Sequence, residues 1–155
     1  MGVRWNPLGW LANGLGTGLI PWAPGTFGSL LGVVLYLLMN GLALWLYLLV
    51  TLLAFVAGIG ICSHAARKLG EHDHPSIVWD EIVGVLITLI AVPAQWLWIG
   101  TGFVLFRIFD IWKPWPVRVA DRRVKGGLGI MLDDVLAAGY ALVVLHLIIA
   151  VVERS

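Results

Sequence analysis

The sequence predicts an all-α protein, a polytopic membrane helical bundle of about five short or full transmembrane segments with a polar site at its cytoplasmic face. Three observations lead there. Of 155 residues, 60% are hydrophobic and 12% charged, with a mean hydropathy of +0.94, outside the usual range of soluble domains. The apolar residues fall in long runs divided by short turn signals, Asn40-Gly41 and Pro93-Ala94-Gln95. Five carboxylates, Asp80, Glu81, Asp110, Asp133 and Asp134, stand at the ends of those runs, and in lipid such groups must be paired, hydrated or metal-bound. The length allows one domain, residues 1–155.

The elements follow in order. Arg4 precedes a stretch broken by Pro7, Gly9, Gly14, Gly16, Gly18, Pro21 and Pro24; this is no signal-peptide core, so the N-terminus is expected to be retained. From Ser29 to Cys62 the only interruption is Asn40-Gly41, which predicts a hairpin with arms Ser29–Met39 and Leu42–Ser63. The eleven residues of the first arm rise only about 16 Å against a hydrocarbon core of roughly 30 Å. Either the helix begins earlier, despite Pro21 and Pro24, or the arm is re-entrant and shielded by the bundle. A second hairpin pairs Asp80–Val92 with Trp96–Trp112 across the Pro93 turn, because one helix over both would rise about 50 Å. Leu132–Val152, 21 residues long, matches one crossing of about 20.

Arg67 and Lys68 end the second segment, and Arg107, Lys113, Arg118, Arg122, Arg123 and Lys125 surround the connection between the fourth and fifth. The positive-inside rule therefore places 65–79 and 113–131 in the cytoplasm and all five acids at one membrane face. Trp22, Trp79, Trp96, Trp98, Trp112 and Trp115 lie near predicted boundaries, where indole rings bridge headgroups and acyl chains. A net charge of +1, without an unopposed basic stripe, excludes a nucleic-acid partner. The single cysteine, Cys62, reads as a small buried hydrophobe. Monomer and homodimer both suit five short segments.

Asp80 and Glu81 open a helix, where carboxylates are favoured by the macrodipole; adjacent residues point about 100° apart and suit different faces of a metal site. Gly84, one turn on, leaves room for a neighbouring helix or a substrate. Arg107, Asp110 and Lys113 repeat at three-residue spacing, which fits either a local ionic ladder or two phosphate-binding cations beside a metal ligand. Gly126-Gly127-Leu128-Gly129 resembles a glycine-rich approach to a helix start, without a Walker ending, and the Asp133 and Asp134 that follow would repel an anion unless a divalent cation intervened. His72 and His74 fit ordinary loop polarity, metal ligation or substrate orientation; oxygen ligands outnumber histidines, which favours magnesium over zinc. Pro24-Gly25-Thr26-Phe27-Gly28-Ser29 fits a turn with an N-cap or a phosphate contact through Thr26 and Ser29.

Taken together, Ile77-Val78-Trp79-Asp80-Glu81 with Gly84, Phe106-Arg107 with Asp110, Lys113-Pro114-Trp115-Pro116, and Gly129-Ile130-Met131 with Asp133-Asp134 resemble the phosphatidylglycerophosphatase A family. The likeness also takes in Pro24-Gly25-Thr26, Gly28-Ser29 and His72-Asp73-His74, and runs from about Gly14 to Tyr140. It implies a magnesium-dependent phosphatase of the bacterial inner membrane that converts phosphatidylglycerophosphate to phosphatidylglycerol and inorganic phosphate. By that resemblance a subset of Asp80, Glu81, Asp110, Asp133 and Asp134 holds Mg²⁺, and one of these carboxylates, Asp80 as first choice, orients the attacking water. Arg107, Lys113, Thr26, Ser29, His72, His74 and Gly129 contact the substrate, and Trp79 and Trp112 line its access. Val117 stands where the family pattern has isoleucine, a small change in volume. Two competitors are a CDP-alcohol phosphotransferase, which needs a longer cluster of aspartates and glycines, and a small cation channel or transporter, whose acids would spread across membrane depth.

Overall fold

The computed structural model describes residues 6–155, so Arg4 lies outside the described residues. The chain is all-α, and its helices in order are α1 (Pro7–Ala12), α2 (Pro24–Met39), α3 (Leu44–Leu69), α4 (Trp79–Thr88), α5 (Trp96–Trp112), α6 (Val117–Arg123) and α7 (Gly126–Val152), with a 3₁₀ turn at Thr17–Leu19. Two of them, α3 and α7, are long and apolar enough to cross a membrane. The expected five crossings are thus corrected to two by this measure, because α2 has 16 residues, α4 has 10 and α5 has 17.

α7 is the central helix, packed against α3, α4, α5 and α6. Small residues allow this: Gly127, Ala137, Ala138 and Ala141 are buried on it, and such residues let helix backbones approach closely where lipid removes the hydrophobic drive between helices. Leu145 and Ile149 extend the buried surface toward its far end. Across the bundle, Leu89, Phe106 and Leu145 are among the largest fully buried side chains.

α4 is the shortest of the core helices and is enclosed by α2, α3, α5 and α7. Expected to run to Val92, it stops at Thr88, and a broken helix inside an apolar bundle leaves carbonyls to satisfy. Two tyrosines do so: Tyr47 donates to the Leu86 carbonyl at 2.5 Å and Tyr36 to the Val92 carbonyl at 2.9 Å. Their rings meet edge to face at 6.3 Å.

The other boundaries differ for local reasons. α2 starts at Pro24 rather than Ser29, since proline is well tolerated in a first helical turn, where its missing N–H would be unpaired anyway. α7 starts at Gly126 rather than Leu132, which sets Asp133 and Asp134 roughly 10 Å along the helix instead of at its tip. Trp98, expected at the interface, is 5% exposed, because it shares the buried face of α5 with Ile99, Gly102 and Phe106. Trp22, Trp96, Trp112 and Trp115 are exposed as expected, and Cys62 is fully buried.

Candidate metal centre

The N-terminus of α4, the end of α5 and the third turn of α7 meet at one place. Asp80 and Glu81 occupy the first turn of α4, Arg107 and Asp110 the end of α5, and Asp133 and Asp134 a buried stretch of α7. Ligand atoms of Asp80, Asp133 and Asp134 lie within 4.8 Å of one another, as do those of Glu81, Asp110 and Asp134. Asp80 and Glu81 therefore go to different groups, as their angular offset on a helix requires, and Asp134 belongs to both.

A third group joins Asp73, Asp121 and Asp133. Neither Asp73 nor Asp121 is among the acids singled out from sequence. Asp73 is the middle residue of His72-Asp73-His74, and Asp121 sits within the basic run of Arg118, Arg122, Arg123 and Lys125, where a lone acid is the available signal. This third group already has a cation: Lys113 Nζ is 2.7 Å from Asp133 Oδ2 and 3.6 Å from Asp121 Oδ1. Lys113 gets there because it caps α5 in the left-handed region, φ 51°, which turns the chain away from the helix. Burial alone would lower its pKa, but the close, hydrogen-bonded Asp133 carboxylate outweighs that and holds it above the usual lysine range. The three-residue ladder thus breaks after Asp110, since Lys113 pairs across to α7.

Arg107 Nη1 is 2.5 Å from Asp110 Oδ2 and 3.6 Å from Glu81 Oε1, while its Nε has no hydrogen-bond partner. Asp80 Oδ1, Glu81 Oε2 and Asp134 Oδ2 are likewise buried and unpartnered. An orphaned carboxylate oxygen in an apolar interior is costly unless a cation meets it. The donor set is entirely carboxylate oxygen, and no histidine or cysteine joins any of the three groups among the described residues. That chemistry fits a hard divalent cation such as magnesium.

The remaining predicted residues divide. Thr26 lines an apolar groove of about 470 Å³ with Val104, Arg107, Ile111 and Trp112. Ser29 is fully buried and its hydroxyl donates to the Gly25 carbonyl at 2.8 Å within α2. Gly25 itself lies against Glu81 and Arg107 so closely that a Cβ there would overlap Glu81 Oε1. His72 lines a cavity with Ser63, Arg67 and Glu71, and His74 binds Ser76 at 2.7 Å and faces Asn13 and Leu19; neither is a member of the acid groups. Gly129 packs on the Val124 carbonyl, and the Gly127 N–H donates to Ser63 Oγ at 2.8 Å. Gly127 thus serves the packing of α7 on α3, and Gly129 the close approach of α7 to the chain that enters it. Gly84 receives the Phe106 ring from α5. Trp79 donates to the Ala54 carbonyl at 3.0 Å and covers Gly58, so of the two access tryptophans only Trp112 borders the groove beside Arg107.

The family model for phosphatidylglycerophosphatase A matches residues 10–149. The chain is 49% identical over 144 residues to a phosphatidylglycerophosphatase A of Escherichia coli, covering 92% of this chain and 84% of that protein. It is 50% identical over 145 residues to one of Haemophilus influenzae, covering 92% and 89%. A Bacteroides thetaiotaomicron protein provisionally named a phosphatidylinositol-3-phosphatase is 42% identical over 143 residues, covering 87% and 89%. No solved structure matches the chain.

Proposed function

Since the chain belongs to the phosphatidylglycerophosphatase A family, we propose that it hydrolyses the phosphate monoester of phosphatidylglycerophosphate to phosphatidylglycerol and inorganic phosphate. At the coarser level it is a membrane-associated phosphatase acting on a phospholipid head group. The observation that carries the finer reading is the meeting of Asp80, Glu81, Asp110, Asp133 and Asp134, with unpartnered buried oxygens, beside Arg107, which lines an apolar groove.

Asp80, Glu81, Asp110, Asp133 and Asp134 hold Mg²⁺, which when bound supplies charge stabilisation to phosphoryl oxygens and activation of water. The free Nε of Arg107 gives its guanidinium a donor for a phosphate oxygen while Nη1 stays on Asp110. Lys113 adds a second positive charge from across the site. Asp80 orients the attacking water. Water forms the new P–O bond, the glycerol oxygen leaves, and a water proton ends on that oxygen. The acyl chains stay in lipid, one lying along the α2–α5 groove past Trp112.

We place the site at the cytoplasmic face of the bacterial inner membrane in a single multi-pass domain, 1–155, from the distribution of basic residues. The cation channel or transporter is disfavoured because the acids gather in shared groups instead of marking a path through the bundle.

The test is phosphate release by the purified protein in mixed micelles. Phosphatidylglycerophosphate should be turned over well ahead of a phosphatidylinositol phosphate and of soluble glycerol 3-phosphate. Cation flux through proteoliposomes with no phosphate release from any of these lipids would overturn the reading. Because His72 belongs to none of the acid groups, His72→Ala should keep turnover within about twofold of wild type, equivalent to roughly 0.5 kcal/mol or less.

A further inference from the structure

We infer that the centre holds two divalent cations at once, one on Asp80, Asp133 and Asp134 and one on Glu81, Asp110 and Asp134, with Asp134 shared between them. This rests on the reading above for the site and deepens it by fixing the number of ions and the residue that joins them.

Charge balance points there. Asp80, Glu81, Asp110, Asp133 and Asp134 bring five negative charges, Asp73 and Asp121 add two beside Asp133, and Arg107 and Lys113 are the cations paired with these acids. Five negative charges remain. One divalent ion leaves the site strongly anionic, and a phosphate dianion would then meet repulsion. A second ion brings the acids to within one charge of neutrality before the lipid phosphate arrives.

The unpartnered atoms point the same way. Asp80 is 6% exposed and Asp134 3% exposed, yet Asp80 Oδ1 and Asp134 Oδ2 have no partner. These belong to the first group, which contains no Arg or Lys contact except through Asp133. In the second group Arg107 reaches Glu81 and Asp110 from one side with a single nitrogen, leaving Glu81 Oε2 buried and unpartnered. Asp133 Oδ1 accepts from the Asp134 amide at 3.0 Å while Oδ2 binds Lys113. The third group already holds a cation, the ammonium of Lys113 between Asp133 and Asp121, whereas Asp80 and Asp134 of the first group keep unpartnered oxygens. Two of the three groups call for metal, and Asp134 is common to both.

Manganese(II) tests this without reference to turnover, because its electron spin resonance separates single ions from carboxylate-bridged pairs. The purified protein, stripped with EDTA and dialysed against Mn²⁺, should bind two ions per chain and give the exchange-coupled spectrum of a pair. Glu81→Gln should bind one ion and give the spectrum of an isolated ion, with helical content unchanged by circular dichroism. Asp134→Asn should lose the coupled signal. One ion per chain in the wild-type protein, or two with no coupling, would overturn the inference while leaving the lipid phosphatase reading to its own assay. A coupled pair that survives in Asp134→Asn would also overturn it, by removing the bridge.

Discussion

Asp134→Asn is expected to lower phosphate release by about 10³-fold and, in the same protein, to raise the thermal midpoint measured in EDTA. The two effects have one cause. Asp134 is 3% exposed and its Oδ2 has no partner, so the metal-free fold bears a buried, unpartnered acid group crowded by other acids. Replacing it with a neutral side chain of the same shape removes a penalty of about 1–3 kcal/mol. The same change takes away a ligand shared by two acid groups, and loss of transition-state charge stabilisation of this kind costs about 10²–10³ in rate or more. With saturating Mg²⁺ the order of midpoints should reverse, because ligation stabilises the wild-type fold and not the variant. A purely structural Asp134 would give a lower midpoint in EDTA as well as lower activity.

Gly127→Ala is expected to be strongly damaging for so small a change. A Cβ at this position would land on the Ile59 carbonyl oxygen and the Ser63 side chain, with the Ser63 amide nitrogen at 2.7 Å. The Ile59 oxygen and the Ser63 nitrogen are backbone and cannot step aside, so α3 and α7 must separate, at about 1–3 kcal/mol or more. Asp133 and Asp134 lie on the same helix; a shift of roughly 1 Å there would cost about 10² in rate. Gly139→Ala is the matched control. Nothing lies within 4 Å of its Cβ position, and alanine in a helix interior is favoured over glycine by about 1 kcal/mol, so that variant should be as stable as wild type or more so.

α5 was legible to the residue because Gln95 follows a proline turn and Lys113-Pro114 stops the helix. The end of α4 was not. Its apolar run continues to Val92, and the helix stops at Thr88 where Tyr36 and Tyr47, distant in sequence, satisfy the carbonyls around that end. α6 was hidden for the opposite reason: four of its seven residues are charged, and buried Val117 and Ala120 make too short an apolar pattern to mark a helix. The acids at the centre stood out because charge is rare in such a chain. Asp73 and Asp121 did not, one masked by flanking histidines and the other by arginines. The direction of His72 and His74 is set by the loop between α3 and α4, which periodicity does not describe. The glycines before Asp133 showed that a backbone approaches something closely; only the packing of α3 against α7 says that the something is another helix.

The account stands on buried carboxylates gathered to hold a cation that serves hydrolysis of a lipid phosphate. Its most direct measurement is phosphate release from phosphatidylglycerophosphate by EDTA-stripped protein before and after Mg²⁺ is restored, run beside Asp80→Asn and Asp134→Asn. Release that is absent in EDTA, returns with Mg²⁺ and stays absent in both variants is the predicted result. Release that proceeds without a divalent ion, or that both variants retain in full, would contradict it.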